Sequence, residues 1–141
     1  MEQSTSIEVD APIERVWEVM VDVERWSEWT PTVTSVQRLD DGPLEVGSRA
    51  RIEQPKIPPT EYEVTEVNPG RSFTWVARGP GVRTTARHVI EELPGGRTQV
   101  TLAVEQGGPV GAVIGRFYRG LTERYIANEA EGLKARSENR V

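Results

Sequence analysis

A single histidine stands in a chain of 141 residues, and it is the side chain best suited to acid or base chemistry near neutral pH. His88 lies in the run Ala86-Arg87-His88-Val89-Ile90, where period-two alternation puts it on the apolar side with Ala86 and Ile90. A neutral imidazole so placed can donate to a ligand carbonyl or act as a general acid or base. The same position suits a buried histidine satisfied by a neighbouring hydroxyl or main-chain group. Tyr62, Tyr125 and Gln54 could add hydroxyl and amide contacts, and Phe73, Trp75, Phe117 and Leu121 an apolar wall. Together with His88 these form the candidate ligand-binding set, although each also fits plain core. Arg116 and Arg124 could reach an acidic ligand group, but charged helix residues read more simply as solvated.

Other chemistries lack their residues. There is no cysteine, so disulfides and thiolate metal sites are excluded, and one histidine among scattered carboxylates does not make a zinc site. Neither a G-x-S-x-G elbow, a phosphate loop nor a dinucleotide fingerprint occurs. No metal and no cofactor are therefore expected. The net charge of -5 argues against a nucleic-acid partner. No apolar run is long enough to cross a bilayer, so insertion into a membrane is not expected. The polar opening Met1-Glu2-Gln3-Ser4-Thr5 carries no signal-peptide pattern, and the expected location is cytoplasmic. The length suits one domain over residues 1–141.

The elements that must hold these side chains can be read in order. Thr5, Ile7 and Val9 alternate with polar neighbours as in a half-buried strand. Pro12 then opens a short helix with Ile13, Val16, Trp17 and Met20 on one face, and Asp22 can cap a second, carrying Val23, Trp26 and Trp29, that Pro31 ends. From Val33 to about Gln106, strand-forming runs are separated by turn clusters at Asp40-Asp41-Gly42-Pro43, Pro55 to Pro59, Asn68-Pro69-Gly70, Gly79-Pro80-Gly81 and Pro94-Gly95-Gly96. The spacing predicts an antiparallel meander. Its inward set is Ala50, Ile52, Tyr62, Val64, Phe73, Trp75, Ala86, His88, Ile90, Val100, Leu102 and Val104.

From Pro109 to about Ser137 the pattern predicts one long helix, with Val110, Val113, Ile114, Phe117, Tyr118, Leu121 and Tyr125 on its apolar face. Beyond Tyr125 that face carries Asn128 and Gly132 and weakens, and residues 136–141 are expected to fray. Successive turns of a meander alternate between the ends of the sheet, so the Pro55–Pro59 turn, the Gly79-Pro80-Gly81 turn and the Gly107-Gly108 junction share one end. Any cavity would open there. A concave sheet gripping the long helix, with the two short helices closing the remaining side, is the favoured architecture; a fully packed α+β core fits the same pattern.

The segment Val9-Asp10-Ala11-Pro12-Ile13-Glu14-Arg15-Val16-Trp17, followed by Asp22, Arg25-Trp26 and Trp29, resembles the opening of the polyketide cyclase/dehydrase and lipid-transport family, a branch of the START-like (SRPBCC) superfamily. Pro69-Gly70-Arg71, the strand around Phe73 and Trp75, His88, and Gly95-Gly96-Arg97-Thr98 extend the resemblance over nearly the whole chain. It implies an α+β helix-grip fold, a strongly curved antiparallel sheet of about seven strands around the C-terminal helix with a cavity for an apolar ligand. The quoted residues are structural in character and bear on fold more than on chemistry. The resulting expectation is a protein that binds a small hydrophobic or aromatic ligand, lipid or polyketide-like, as a monomer or homodimer. The alternative is a cyclase or dehydratase using His88 and a tyrosine as acid and base.

Overall fold

The computed structural model describes residues 2–138. Seven antiparallel strands form one sheet: β1 (Glu2–Val9), β2 (Ser35–Arg38), β3 (Arg49–Gln54), β4 (Ile57–Asn68), β5 (Ser72–Gly79), β6 (Val82–Leu93) and β7 (Arg97–Gly107). Their order in space is β1-β7-β6-β5-β4-β3-β2. After β1, α1 (Ile13–Val21) and a 3₁₀ helix (Val23–Glu28) carry the chain to the far edge, from which it meanders back until β7 pairs with β1. Two further helices follow, α2 (Gly111–Phe117) and α3 (Arg119–Ser137). This is the expected helix-grip arrangement.

The alternation in the sequence sets which side chains face inward, and the inward set is as expected. Ala50, Ile52, Val64, Phe73, Trp75, Ala86, His88, Ile90, Val100 and Leu102 are buried, with Tyr62 and Val104 partly so. The β4–β5 register shifts between Val64 and Glu66, which returns Val67 to the apolar side and adds local twist to the sheet. The segment from Val33 is not strand throughout. Only Ser35–Arg38 pairs, while Val33 is buried in the loop before it, where alternation is poorest.

The C-terminal segment departs from the expected single helix. The backbone breaks at Tyr118 (φ −95°, ψ 8°), between Gly115 and Gly120, whose low helix propensity weakens the chain on both sides of the break. The orientation of α2 also differs. Its buried residues are Gly111 and Gly115, and a Cβ on Gly111 would come within 2.9 Å of the Gln106 carbonyl oxygen. At Gly111 the helix lies too close to the Gln106 backbone for any side chain, while Val113 and Phe117 face outward and Ile114 is half-buried.

Beyond Tyr125 the apolar seam does not fade, because Ile126, Ala130 and Leu133 are all buried. Gly132 is the point of closest approach, where a Cβ would stand 2.1 Å from the carbonyl oxygen of Trp29. The end of α3 is likewise held rather than frayed through residue 138. The Arg15 guanidinium donates to the Arg136 carbonyl at 3.1 Å, a cation on a helix C-terminus, and Lys134 Nζ reaches the Glu8 carbonyl at 2.9 Å. Residues 139–141 lie outside the described part.

Candidate ligand cavity and its acid–base pair

Between the concave sheet and the C-terminal helices lies a cavity of about 220 Å³. Its deep wall is built on register. His88 sits opposite Phe73 on β5 and Leu102 on β7, and Trp75 opposite Ala86, so that five inward positions of adjacent strands converge. Trp26, from the 3₁₀ helix, closes this end. Its indole N–H donates to the Met20 carbonyl at 3.0 Å, and its ring centroid lies 5.3 Å from that of Trp75 and 5.5 Å from that of His88. Gln54, Ile57, Pro58 and Thr60 line the other end, with Ile114, Tyr118 and Thr122 from the helices. These flank the β3–β4 turn and the β7–α2 junction, the end where the turn alternation predicts a mouth.

Of the residues singled out in the sequence, Gln54, Tyr62, Trp75, His88 and Tyr125 are brought together around the cavity. Three are not. Phe73 is fully buried behind His88, with the two rings stacked 4.1 Å apart at 9°, so it supports the imidazole from the core. Phe117 is 80% exposed on the outer face of α2, and Leu121 is half-buried outside the cavity lining. The inward stripe is narrower than the expected one and shifted to one side of it: Ile114, Tyr118 and Tyr125 face the cavity as expected, joined by Thr122, Ile126 and Glu129, whereas Val113, Phe117 and Leu121 of the same stripe lie outside the lining. Arg116 and Arg124 are exposed, as solvated helix charges should be.

Glu129 is the functional candidate absent from the sequence reading. Its signal was available, since it stands four residues after Tyr125 and three after Ile126 on the helical seam. Its carboxylate oxygen Oε1 lies 3.8 Å from Nε2 of His88, with side-chain exposures of 14% and 5% respectively. The imidazole is fixed from its other side: Nδ1 is 3.2 Å from the Phe73 carbonyl oxygen. A carbonyl can only accept, so Nδ1 carries the proton and Nε2 presents its lone pair towards Glu129.

Electrostatics reinforce this assignment. Burial lowers the His88 pKa to about 4 against the opposing pull of the Phe73 carbonyl, so the ring is neutral. Burial raises Glu129 to about 7, which leaves an appreciable protonated fraction at neutral pH. Tyr62 is pushed up to about 12 by burial and by the nearby Glu129 charge, and stays a hydroxyl donor. Two further polar groups of the lining are tied to the main chain: Gln54 donates to the Thr32 carbonyl at 3.2 Å, and the Tyr125 hydroxyl donates to the Pro55 carbonyl. The latter bond ties α3 to the β3–β4 turn beside the mouth. The arrangement is a mostly apolar chamber with a carboxyl near neutrality, a neutral imidazole and three tyrosines, Tyr62, Tyr118 and Tyr125.

A seven-stranded sheet gripping C-terminal helices around such a chamber defines a START-like ligand-cavity protein. The sequence matches the polyketide cyclase / dehydrase and lipid transport family over residues 2–138, and the chain belongs to that family. Among solved structures it is similar to the Zhui aromatase/cyclase of a Streptomyces species, with a TM-score of 0.82 at 19% identity over 99% of this chain and 94% of that one. A START superfamily protein of Mycobacterium smegmatis gives 0.75 at 18% identity, covering 99% of both chains. A hypothetical protein of Helicobacter pylori gives 0.82 at 16% identity over 97% of this chain and 88% of the other. At these identities the likeness establishes the fold. No functionally curated protein matches the sequence.

Proposed function

We propose that this protein binds a small, uncharged, ring-bearing molecule with a carbonyl or hydroxyl group and promotes proton transfer on it, the chemistry of a cyclase or dehydratase. The observation that carries the reading is the Glu129 carboxyl facing the lone pair of His88 Nε2 inside the cavity wall. Size supports it. An apolar cavity of ~150 Å³ accepts benzene, so about 220 Å³ suits a molecule of one to two rings, with any remainder lying towards the mouth. A long acyl chain fits this volume poorly. An anionic head group placed deep would oppose the ionisation of Glu129.

The roles follow from the pKa order. Glu129, nearest to neutrality, is the group able both to take and to give a proton at working pH. In a ring closure its carboxylate would remove a proton from the carbon beside a carbonyl. That carbon would then bond to a second carbonyl, whose oxygen takes a proton back. Loss of the resulting hydroxyl, together with one further carbon-bound proton, releases one water. The Nε2 lone pair of His88 and the Tyr62 hydroxyl would orient the substrate oxygen groups.

Binding without turnover is the second reading, favoured by the way stacking and the Phe73 contact lock His88. The two are separated by native mass spectrometry of the purified protein, followed by assay of any co-purifying molecule with wild type and Glu129→Gln. An enzyme keeps binding in the variant, measured by displacement of a neutral naphthylamine fluorophore, and loses turnover by roughly 10²-fold or more. Unchanged turnover removes Glu129 from the chemistry. Absence of any uptake of an apolar probe would refute the binding role itself.

A further inference from the structure

The cavity mouth is also where the molecule concentrates both its exposed apolar surface and its positive charge. Val110, Val113 and Phe117 are 41%, 68% and 80% exposed on or beside α2, and they account for half of the large apolar side chains exposed among the described residues. The backbone N–H of Val110 donates to the Gly81 carbonyl at 2.8 Å, fixing α2 onto the β5–β6 turn. Three segments meet at this end, residues 54–60, 76–84 and 106–122. Together they carry Lys56, Arg78, Arg83, Arg116 and Arg119 and contain no aspartate or glutamate, in a chain whose net charge is -5; Arg119 pairs with Glu123 just beyond, at 3.2 Å. The turns at the opposite end, residues 39–48, 68–72 and 91–97, hold Asp40, Asp41, Glu45, Glu91 and Glu92 against Arg71 and Arg97. The protein is therefore polarised along the cavity axis.

We propose that the mouth end docks peripherally on an anionic lipid surface, with Val113 and Phe117 entering the head-group region and the surrounding Lys and Arg side chains meeting lipid phosphates. A bare patch of valine and phenylalanine would suit many apolar partners. The ring of cations selects an anionic one, and the pairing of shallow apolar side chains with flanking Lys and Arg is what an interfacial contact requires. A second copy of this chain is disfavoured on the same charges, since a two-fold contact through this face would bring like-charged arginines together. Docking in this orientation would turn the mouth towards the lipid, so that an apolar ligand need not cross water to enter. Only side chains reach the bilayer in this contact, because no described helix is long and apolar enough to cross a membrane.

The test is co-sedimentation of the full chain with phosphatidylcholine vesicles and with vesicles containing phosphatidylglycerol, across a range of salt. Expected is binding to the anionic vesicles that weakens with salt, falls by roughly tenfold or more in Val113→Ser/Phe117→Ser and likewise in Arg116→Glu/Arg119→Glu, and is unchanged in Glu129→Gln. The substituted side chains are exposed, so folding is checked by thermal melting in parallel. Equal binding to neutral vesicles, or no binding to either, overturns the proposal. So does loss in the arginine variant alone with equal binding to soluble polyglutamate, which would mark an acidic macromolecular partner. Self-association that Phe117→Ser abolishes would assign the face to a second copy and overturn it as well.

Discussion

At the closed end of the cavity, Trp26 touches Trp29, Trp75 and His88, Gly132 lets the long helix rest against the Trp29 carbonyl, and Arg15 and Lys134 fasten the end of α3 to its neighbours. At the mouth, α2 is short, turns two glycines to the sheet and leaves Phe117 in solvent, and the chain breaks at Tyr118 before α3 begins. Both ends are built from aromatic and small residues. The difference lies in where the small residues stand: a glycine facing a tryptophan carbonyl brings two elements together around a large ring, whereas glycines facing strands push the large rings outward. Packing is thereby concentrated at the Trp26 end, and the α2 end buries less.

That contrast can be broken by substitution. Trp26→Ala should cost about 3–5 kcal/mol, read as a lower urea midpoint, because it empties the centre of the closed-end cluster. A loss below ~1 kcal/mol would show that the cluster does not hold the fold. An intermediate effect is expected at the acid–base pair, and its sign follows from the shifts. Glu129 is raised from its ordinary 4.5 to about 7, so the native state holds its proton where the unfolded state has lost it. Its contribution is complete below pH 4.5 and is lost as pH rises through about 7.

His88 is lowered from 6.5 to about 4, so its neutral burial favours folding above pH 6.5 and that contribution is lost as pH falls through about 4. The two slopes oppose one another between these limits. Glu129→Gln keeps only the histidine slope, and should gain stability relative to wild type by roughly 3 kcal/mol between pH 4.5 and 7, followed by urea unfolding at each pH. A pH-independent difference would show that the carboxyl titrates normally. Smallest of all, Phe117→Ser should change the thermal midpoint by the equivalent of less than about 0.5 kcal/mol, because the ring buries little. A larger loss would mean that the mouth contributes to the core after all.

Much of this was legible in the residues. Strict alternation through Phe73, Trp75, Ala86, His88 and Ile90 determined the inward face, since a period of two leaves each strand residue only two directions. Proline and glycine clusters marked the turns between the strands. The helix was harder, because a period of 3.6 lets an apolar stripe be drawn one residue to either side. A stripe drawn through Phe117 and Leu121 misses the wall that Ile114, Tyr118 and Thr122 form, and an acidic residue such as Glu129 carries no apolar signal of its own.

Strand order and burial pattern are local and repetitive, so the sequence by itself determined the sheet, the position of His88 on its inner face and the family to which the chain belongs. The tertiary structure decided what His88 meets. Forty-one positions separate it from Glu129 in the chain, and only the packing of α3 over the sheet brings the carboxyl to 3.8 Å from the imidazole and removes enough water to shift both groups. Depth of burial and distance between remote side chains are properties of packing, and no periodicity along the chain encodes them.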